Sequence, residues 1–186
     1  MVIFNLDEEF TPYGAGASFV NGMFPSGCEL NVRIPEDTFD PVRYGENITG
    51  LAFDGRVMVT VRVSSSDDIM KVMLIADALK RIRVVKEISL CMPFVPYARQ
   101  DHIAAPGEAL SLTVIASMIN SCGFDEVIMF DPHSDVLSAL IDRSLVISNL
   151  RLVKKVLEGK SDYWLASPDA GAYKKIGKLA DQLGYD

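Results

Sequence analysis

Short apolar runs alternate with amphipathic stretches along this chain, and the clearest example begins at Arg56. Residues 56–63 are rich in β-branched side chains and predict a strand. A polar cluster follows at residues 64–68, of the kind that caps the start of a helix. From residue 69 to residue 83 apolar positions recur at helical spacing. This segment therefore predicts a strand, a polar turn and a helix in succession.

The same order of elements returns at three further places. Residues 87–92, 126–130 and 163–166 predict strands, and helices follow at about 108–121, 135–142 and 172–183. Successive βα units of this kind predict an α/β protein with a mostly parallel, doubly wound sheet that carries helices on both faces. The first 50 or so residues, with Pro and Gly throughout, predict a small β-rich N-terminal edge.

Composition and charge exclude several classes of function. The chain has 18 Lys and Arg against 25 Asp and Glu, for a net charge of -7. This balance argues against nonspecific binding to nucleic acid or to an anionic membrane, because both need an excess of cations. The 3 cysteines have no C-x-x-C spacing, which fits a reducing compartment better than disulfides or zinc. The sequence begins without a signal-peptide pattern and has no run of ~18 apolar residues, so we expect a cytoplasmic protein.

Polar residues follow every predicted strand at the point where it ends. In parallel α/β sheets, ligands bind in a crevice beyond the carboxyl ends of the strands. The polar turns contain residues 64–68, Arg99 to His102, Asp131 with His133 and Asp135, and Ser167 with Asp169. These residues predict a site for a nucleotide or a sugar phosphate, but they do not name a reaction.

Each of these turns also has a purely structural interpretation. Asp131 and His133 could meet a divalent ion, or Asp131 could cap the next helix and His133 could be a surface residue. Arg99 could stack on a base or pair with a phosphate, or it could simply be solvated. Asp169 lies in a Ser-Pro-Asp-Ala-Gly sequence that also suits an ordinary turn. The residue pattern alone leaves these alternatives open.

One segment carries a more specific signal. From Pro93 to Asp101 the chain reads P-F-V-P-Y-A-R-Q-D, which resembles the P-Y-x-P-Y-A-R-Q-D signature of ribose-phosphate pyrophosphokinases, the phosphoribosyl pyrophosphate synthetases. Other segments resemble further family motifs in the same order: I-A-D-A-L-K-R ending at Arg81, G-E-A-L-S from Gly107, D-P-H from Asp131 and S-P-D-A-G from Ser167. A run of matches over most of a chain is far more specific than one short motif.

The resemblance implies a phosphoribosyltransferase-type fold with two homologous α/β domains. Residues 1–147 would form the N-terminal domain, and residues 148–186 would begin a second domain that is incomplete in this chain. The implied reaction transfers the pyrophosphoryl group of ATP to ribose 5-phosphate, which gives phosphoribosyl pyrophosphate and AMP. Such a reaction depends mainly on alignment of two anions and neutralisation of their charge.

The resemblance also implies residue roles and partners. Arg99 and Gln100 would hold the adenine and phosphates of ATP, and Asp101 would support that site. His133 would coordinate Mg²⁺ on ATP, and Asp169 would orient the ribose phosphate and its metal.

A second subunit of a homo-oligomer would complete the ATP site through a segment that corresponds to Phe24 and Glu29. Here Ser26 stands where the family has Asp, and one extra residue precedes Glu29.

The family's catalytic loops would lie beyond Asp186. On this basis we expect no catalytic residue within these 186 residues and no turnover by them alone. The altered segment around Ser26 keeps an alternative open, namely a noncatalytic nucleotide-binding or regulatory subunit with the same fold.

Overall fold

The computed structural model describes residues 1–7, 9–12, 54–160 and 164–184. The chain divides into two compact units, Met1–Ile147 and Ser148–Asp186. That residues 1–147 form an N-terminal domain and that residues 148–186 begin a homologous second one stays a prediction.

The described part of the first unit alternates strands and helices. In chain order its elements are β1 (Val2–Asn5), β2 (Arg56–Thr60), α1 (Ser66–Lys80), β3 (Glu87–Cys91), α2 (Ser111–Ser121), β4 (Glu126–Phe130), α3 (Asp135–Leu140) and β5 (Ser144–Ile147). The second unit contains α4 (Leu150–Leu157) and α5 (Tyr173–Leu183). None of the described helices is long and apolar enough to cross a membrane.

The five strands form one sheet in the order β1-β2-β3-β4-β5, and every neighbouring pair is parallel. In the register Asn5 pairs with Thr60, and Thr60 pairs with Cys91, so the strands end together at one edge. The predicted α/β class and the parallel sheet are confirmed. The carboxyl edge is the place where the turns after β2, β3 and β4 come together.

The main core lies on one face of this sheet. Alternate strand residues such as Val59, Leu90 and Met129 are buried there together with apolar residues of α1, α2 and α3. A smaller cluster occupies the opposite face, where Phe10 packs with Met58 and its neighbours. The described helices of this unit therefore all pack on the first face, and the predicted helical cover of the second face stays a prediction.

A buried polar pair stands at the end of β1 and β2. Thr60 is fully buried and its hydroxyl donates a hydrogen bond to Oδ1 of Asn5, which is itself 3% exposed. The Nδ2 atom of Asn5 is buried and has no hydrogen-bond partner among the residues that the structure describes. The hydrogen bond between Asn5 and Thr60 joins the carboxyl ends of β1 and β2 beneath the crevice.

The structure corrects the sequence-based elements in two places. The strand predicted at residues 163–166 is wrong, because residues 164–166 are not in a strand and Trp164 is 96% exposed. Two elements were missed, β5 and α4. β5 is only 4 residues long, and its last three side chains are exposed, so it lacks the alternation that marks a strand in the sequence.

Helix α1 shows why the predicted boundaries shift. It begins at Ser66 rather than near residue 69, because Ser65 and Asp68 form a reciprocal capping box. β2 also ends earlier than predicted, at Thr60, although Val61 and Val63 remain buried. Gly123, expected to close α2, lies just beyond it with a φ of +56°.

Candidate functional site

The turn between β2 and α1 is built around one carboxylate. Oδ2 of Asp68 accepts hydrogen bonds from the backbone N–H groups and the hydroxyls of Ser64 and Ser65, at 2.9 to 3.0 Å. Its Oδ1 lies 2.9 Å from Nζ of Lys71. Burial raises the pKa of Asp68, but the bonds from Lys71, Ser64 and Ser65 outweigh burial and hold it well below its usual range. The geometry thus assigns this serine cluster to helix capping.

Ion pairs of one arginine connect the segments that follow β1 and β2. Arg62 forms ion pairs with Asp7 and, at 3.1 Å, with Glu9. The hydrogen bond from Arg62 lowers the pKa of Asp7 and outweighs a small opposing effect of burial. These ion pairs join the first residues after β1 to the sheet's carboxyl edge.

The loop after β3 presents Arg99 at the tip of a tight turn. The N–H of Gln100 donates to the carbonyl of Tyr97 at 3.1 Å, and Ala98 between them is buried in the core. Arg99 is exposed, and no residue in the described ranges forms an ion pair or hydrogen bond with its guanidinium. Its charge is therefore available to an anionic ligand.

Gln100 is held in place from the start of α2. The Ser111 hydroxyl donates to Oε1 of Gln100 at 2.6 Å, and the N–H of Leu112 donates to the carbonyl of Gln100 at 3.4 Å. The side-chain amide nitrogen of Gln100 is left to donate to a ligand. Sequence reasoning missed this role of Ser111, because the bond joins residues 11 positions apart and leaves no local pattern in the sequence.

Asp101 links the loops that follow β3 and β4. Its Oδ1 lies 2.9 Å from Nδ1 of His102. The His102 contact, and after it the Ser134 hydroxyl, lower the pKa of the Asp101 carboxyl. Ser134 Oγ is buried and makes no hydrogen bond of regular geometry, so its effect comes from proximity to the carboxylate. Ser134 was also missed, because residues on two separate loops give no shared pattern in a sequence.

The turn after β4 contains Asp131 and His133. Asp131 has a left-handed backbone, with a φ of +46°, and its N–H donates to the carbonyl of Ile147 at 2.9 Å. His133 is exposed and has no hydrogen bond within the described part of the chain. In that same part, no group of three or more His, Cys, Asp or Glu residues could hold a metal ion. The structure thus brings Arg99, Gln100, Asp101 and His133 to one sheet edge without a preformed metal cage.

Asp169 lies in the second unit, in the turn before α5. Its Oδ1 accepts a hydrogen bond from the N–H of Ala172 at 2.8 Å, and its carbonyl accepts one from the Ser167 hydroxyl at 2.6 Å. Asp169 therefore stabilises the start of α5 with one carboxylate oxygen. Phe24 and Glu29, the remaining residues expected at the ATP site, lie outside the described residues.

Comparisons with known proteins agree with this fold. Residues 28–123 match the family model described as the N-terminal domain of ribose phosphate pyrophosphokinase. A ribose-phosphate pyrophosphokinase of Thermosipho africanus is 28% identical over 170 residues, which cover 88% of this chain and 49% of the relative. One of Fusobacterium nucleatum is 29% identical over 137 residues, which cover 69% of this chain and 43% of the relative.

A solved structure shares the fold. Phosphoribosylpyrophosphate synthetase from Mycobacterium smegmatis superposes with a TM-score of 0.69 at 23% identity, over 98% of this chain and 61% of that one. The chain spans about half the length of the curated relatives named above. Because the family model covers more than half of the chain and includes the Arg99–Asp101 turn, the chain belongs to the family of the N-terminal domain of ribose phosphate pyrophosphokinase.

Proposed function

We propose that this chain provides the ATP-binding part of a ribose-phosphate pyrophosphokinase. The enzyme would transfer the pyrophosphoryl group of ATP to ribose 5-phosphate and release phosphoribosyl pyrophosphate and AMP. One observation carries the proposal: the family match encloses a turn in which Arg99 is exposed and unpaired among the described residues.

The residues of this turn supply binding rather than covalent chemistry. The Arg99 guanidinium would contact adenine and phosphate, because it combines a planar face with fixed charged donors. The side-chain oxygen Oε1 of Gln100 already accepts the Ser111 hydrogen bond, so Gln100 would donate to ATP from its side-chain nitrogen Nε2. Asp101 would hold the loop and the neighbouring His102 in place. Together these groups would align the triphosphate and neutralise part of its charge.

Magnesium is the metal that the proposal requires. Mg²⁺ is commonly held by one or two carboxylates together with substrate phosphates and water, and it does not need a protein cage. In the first unit the exposed His133 would be a ligand of the Mg²⁺ on ATP, although imidazole is less suited to Mg²⁺ than a carboxylate is. In the second unit Asp169 has one carboxylate oxygen beyond the bond to Ala172, and it would bind the metal of ribose 5-phosphate. The ion would neutralise phosphate charge.

The assembly and location belong to the same proposal. A homo-oligomer would let Phe24 and Glu29 of one subunit reach the ATP bound by another. Asp169 would orient ribose 5-phosphate, and the protein would work in the cytoplasm. The acidic net charge of -7 supports a small-molecule site rather than a nucleic-acid surface.

Calorimetric titration of ATP into the chain tests the binding role directly. With Mg²⁺ present, Arg99→Ala should weaken ATP binding about tenfold or more, the loss expected for a charged hydrogen bond. Arg83→Ala is the matched control, since Arg83 is also exposed but lies between α1 and β3, toward the opposite edge of the sheet. Absence of ATP binding, or equal effects of the two substitutions, would refute the proposal.

A second measurement separates the enzyme from the noncatalytic alternative. The natural gene product is incubated with Mg²⁺, ATP and ribose 5-phosphate, and AMP is quantified. AMP that depends on ribose 5-phosphate supports the pyrophosphokinase. ATP binding without any AMP would instead favour a nucleotide-binding or regulatory subunit.

A further inference from the structure

Tyr97 has an unusual backbone in the middle of the candidate site. Its φ is +61°, in the left-handed region that favours glycine and penalises any residue with a Cβ. Its neighbours Val95 and Ala98 are both buried in the core, and only two residues separate them. The left-handed backbone of Tyr97 lets the chain turn between these two buried side chains. Arg99, the residue after Ala98, is then exposed.

The side chain of Tyr97 joins this turn to the surrounding helices. Its hydroxyl lies 3.4 Å from Oγ of Ser66, the first residue of α1. The ring lines a groove whose other walls include Ile69 of α1 and Ile115 of α2. A glycine would satisfy the backbone without strain, so the tyrosine carries a backbone cost that only its side-chain contacts can offset.

We propose that Tyr97 is a positioning residue for nucleotide binding, which acts by fixing the direction in which Arg99 leaves the turn. The carbonyl of Tyr97 accepts the Gln100 hydrogen bond that closes the turn around Arg99. The contact of its hydroxyl with Ser66 joins the first residue of that turn to the start of α1. Strained residues persist where the surrounding structure over-determines them, and they concentrate at functional sites. This inference rests on the proposed ATP-binding function and adds the residue that orients its arginine.

Titration of Mg-ATP into four single-residue variants tests the proposal. Tyr97→Phe removes only the hydroxyl contact and should weaken ATP binding about threefold; Ser66→Ala should do the same. Tyr97→Gly should weaken it about tenfold while the Tm stays within about 4 °C of the unmodified chain, because relief of backbone strain offsets lost ring contacts. Phe94→Ala is the matched control: Phe94 is an exposed aromatic residue of the same loop, and its loss should leave the affinity unchanged.

The positioning role predicts a specific interaction between two substitutions. If Tyr97 acts through Arg99, Tyr97→Gly should cause no further loss of affinity in a chain that already carries Arg99→Ala. Additive losses would show that the ring contacts ATP by itself or that the loop collapses, and either result overturns the proposal. Equal effects of Tyr97→Gly and Phe94→Ala would overturn it as well.

A ligand-free measurement separates this inference from the proposed function. Trypsin cleaves after arginine, and the rate of cleavage after Arg99, followed by mass spectrometry, reports how firmly the turn is held. Tyr97→Gly should accelerate this cleavage at least fivefold, whereas Phe94→Ala should not change it. A chain that binds no ATP but shows this acceleration would refute the proposed function alone. Normal ATP binding with unchanged cleavage in Tyr97→Gly would refute only the role of Tyr97.

Discussion

Replacement of Asp68 by Asn is the sharpest test of how the carboxyl edge is stabilised. The substitution keeps the size of the side chain and removes its charge. Asp68 accepts bonds from Ser64 and Ser65 and pairs with Lys71, and its side chain is only 13% exposed. In the variant an amide nitrogen replaces one of the two carboxylate oxygens, and this nitrogen cannot accept a hydrogen bond. The groups that donate to that oxygen in Asp68 would therefore lose their partner.

The expected loss follows from the number and kind of these bonds. Hydrogen bonds to a charged group contribute about 1.5–3 kcal/mol each, but bonds that share one oxygen do not add. Loss of a helix N-terminal cap alone costs about 0.5–2 kcal/mol. We therefore expect Asp68→Asn to lower the free energy of unfolding by about 2–3 kcal/mol, which for a chain of this size is a Tm decrease of roughly 5–10 °C.

The pH dependence identifies the charge as the cause. The folded-state pKa of Asp68 lies below its ordinary value of 3.8, so its contribution is complete above that value and is lost as the pH falls through the folded-state pKa. Urea unfolding followed by circular dichroism should show a constant difference between the two chains from pH 5 to 7 and a smaller one at pH 3. Asp77→Asn on the same helix is the control, because its ion pair with Arg81 is exposed and should contribute little. A difference that is equal at pH 6 and pH 3 would refute the electrostatic explanation.

Three further predictions address the metal, the buried pair and the assembly. In calorimetric titrations His133→Ala should weaken ATP binding when Mg²⁺ is present but not when EDTA removes it, whereas Arg99→Ala should weaken binding in both conditions. If ATP binding depends on Mg²⁺ equally in His133→Ala and in the unmodified chain, His133 has no metal role. Thr60→Val should destabilise the protein by about 1–3 kcal/mol in urea unfolding, because it removes the hydroxyl that donates to the buried Oδ1 of Asn5, and a neutral result would contradict that reasoning. Light scattering at micromolar concentration should show self-association, since β5 is the last strand of the sheet in the described residues and its apolar side chains Leu145, Val146 and Ile147 are exposed; a monomer at all concentrations would reject it.

Local chemistry determines which structural features the sequence could predict. The cap of α1 was predictable, because Ser65 and Asp68 stand at the spacing of a capping box and an apolar helical pattern follows them. The parallel sheet was predictable from repeated strand-to-helix units. β5 was not, because a strand of 4 residues with exposed side chains shows no periodicity. The predicted strand at residues 163–166 failed for the opposite reason: apolar residues favour a strand only where a neighbouring strand accepts them.

The candidate site shows the same division between local and long-range information. The motif around Arg99 could be found in the sequence, because the residues that carry it are consecutive. That its loop binds ATP stays a prediction. The left-handed backbone of Tyr97 was not predictable, since it arises from the burial of Val95 and Ala98 on either side. The approach of Ser134 to Asp101 depends on how two loops meet after the sheet forms. Contacts of this kind need the fold before they can be inferred.

Two classes of polar residue therefore share the carboxyl edge of the sheet. Asp68, Arg62 and Asp101 are each held by other side chains, and their bonds fix the loops. Arg99 and His133 are exposed and have no hydrogen-bond or ion-pair partner among the described residues, so their bonding capacity is left for a ligand. Substitutions in the first class should change the free energy of unfolding before they change binding, and substitutions in the second should do the reverse. A pre-organised edge that presents the Arg99 guanidinium, unpaired among the described residues, binds a polyphosphate without the cost of ordering itself, which is the physical advantage of separating the two roles.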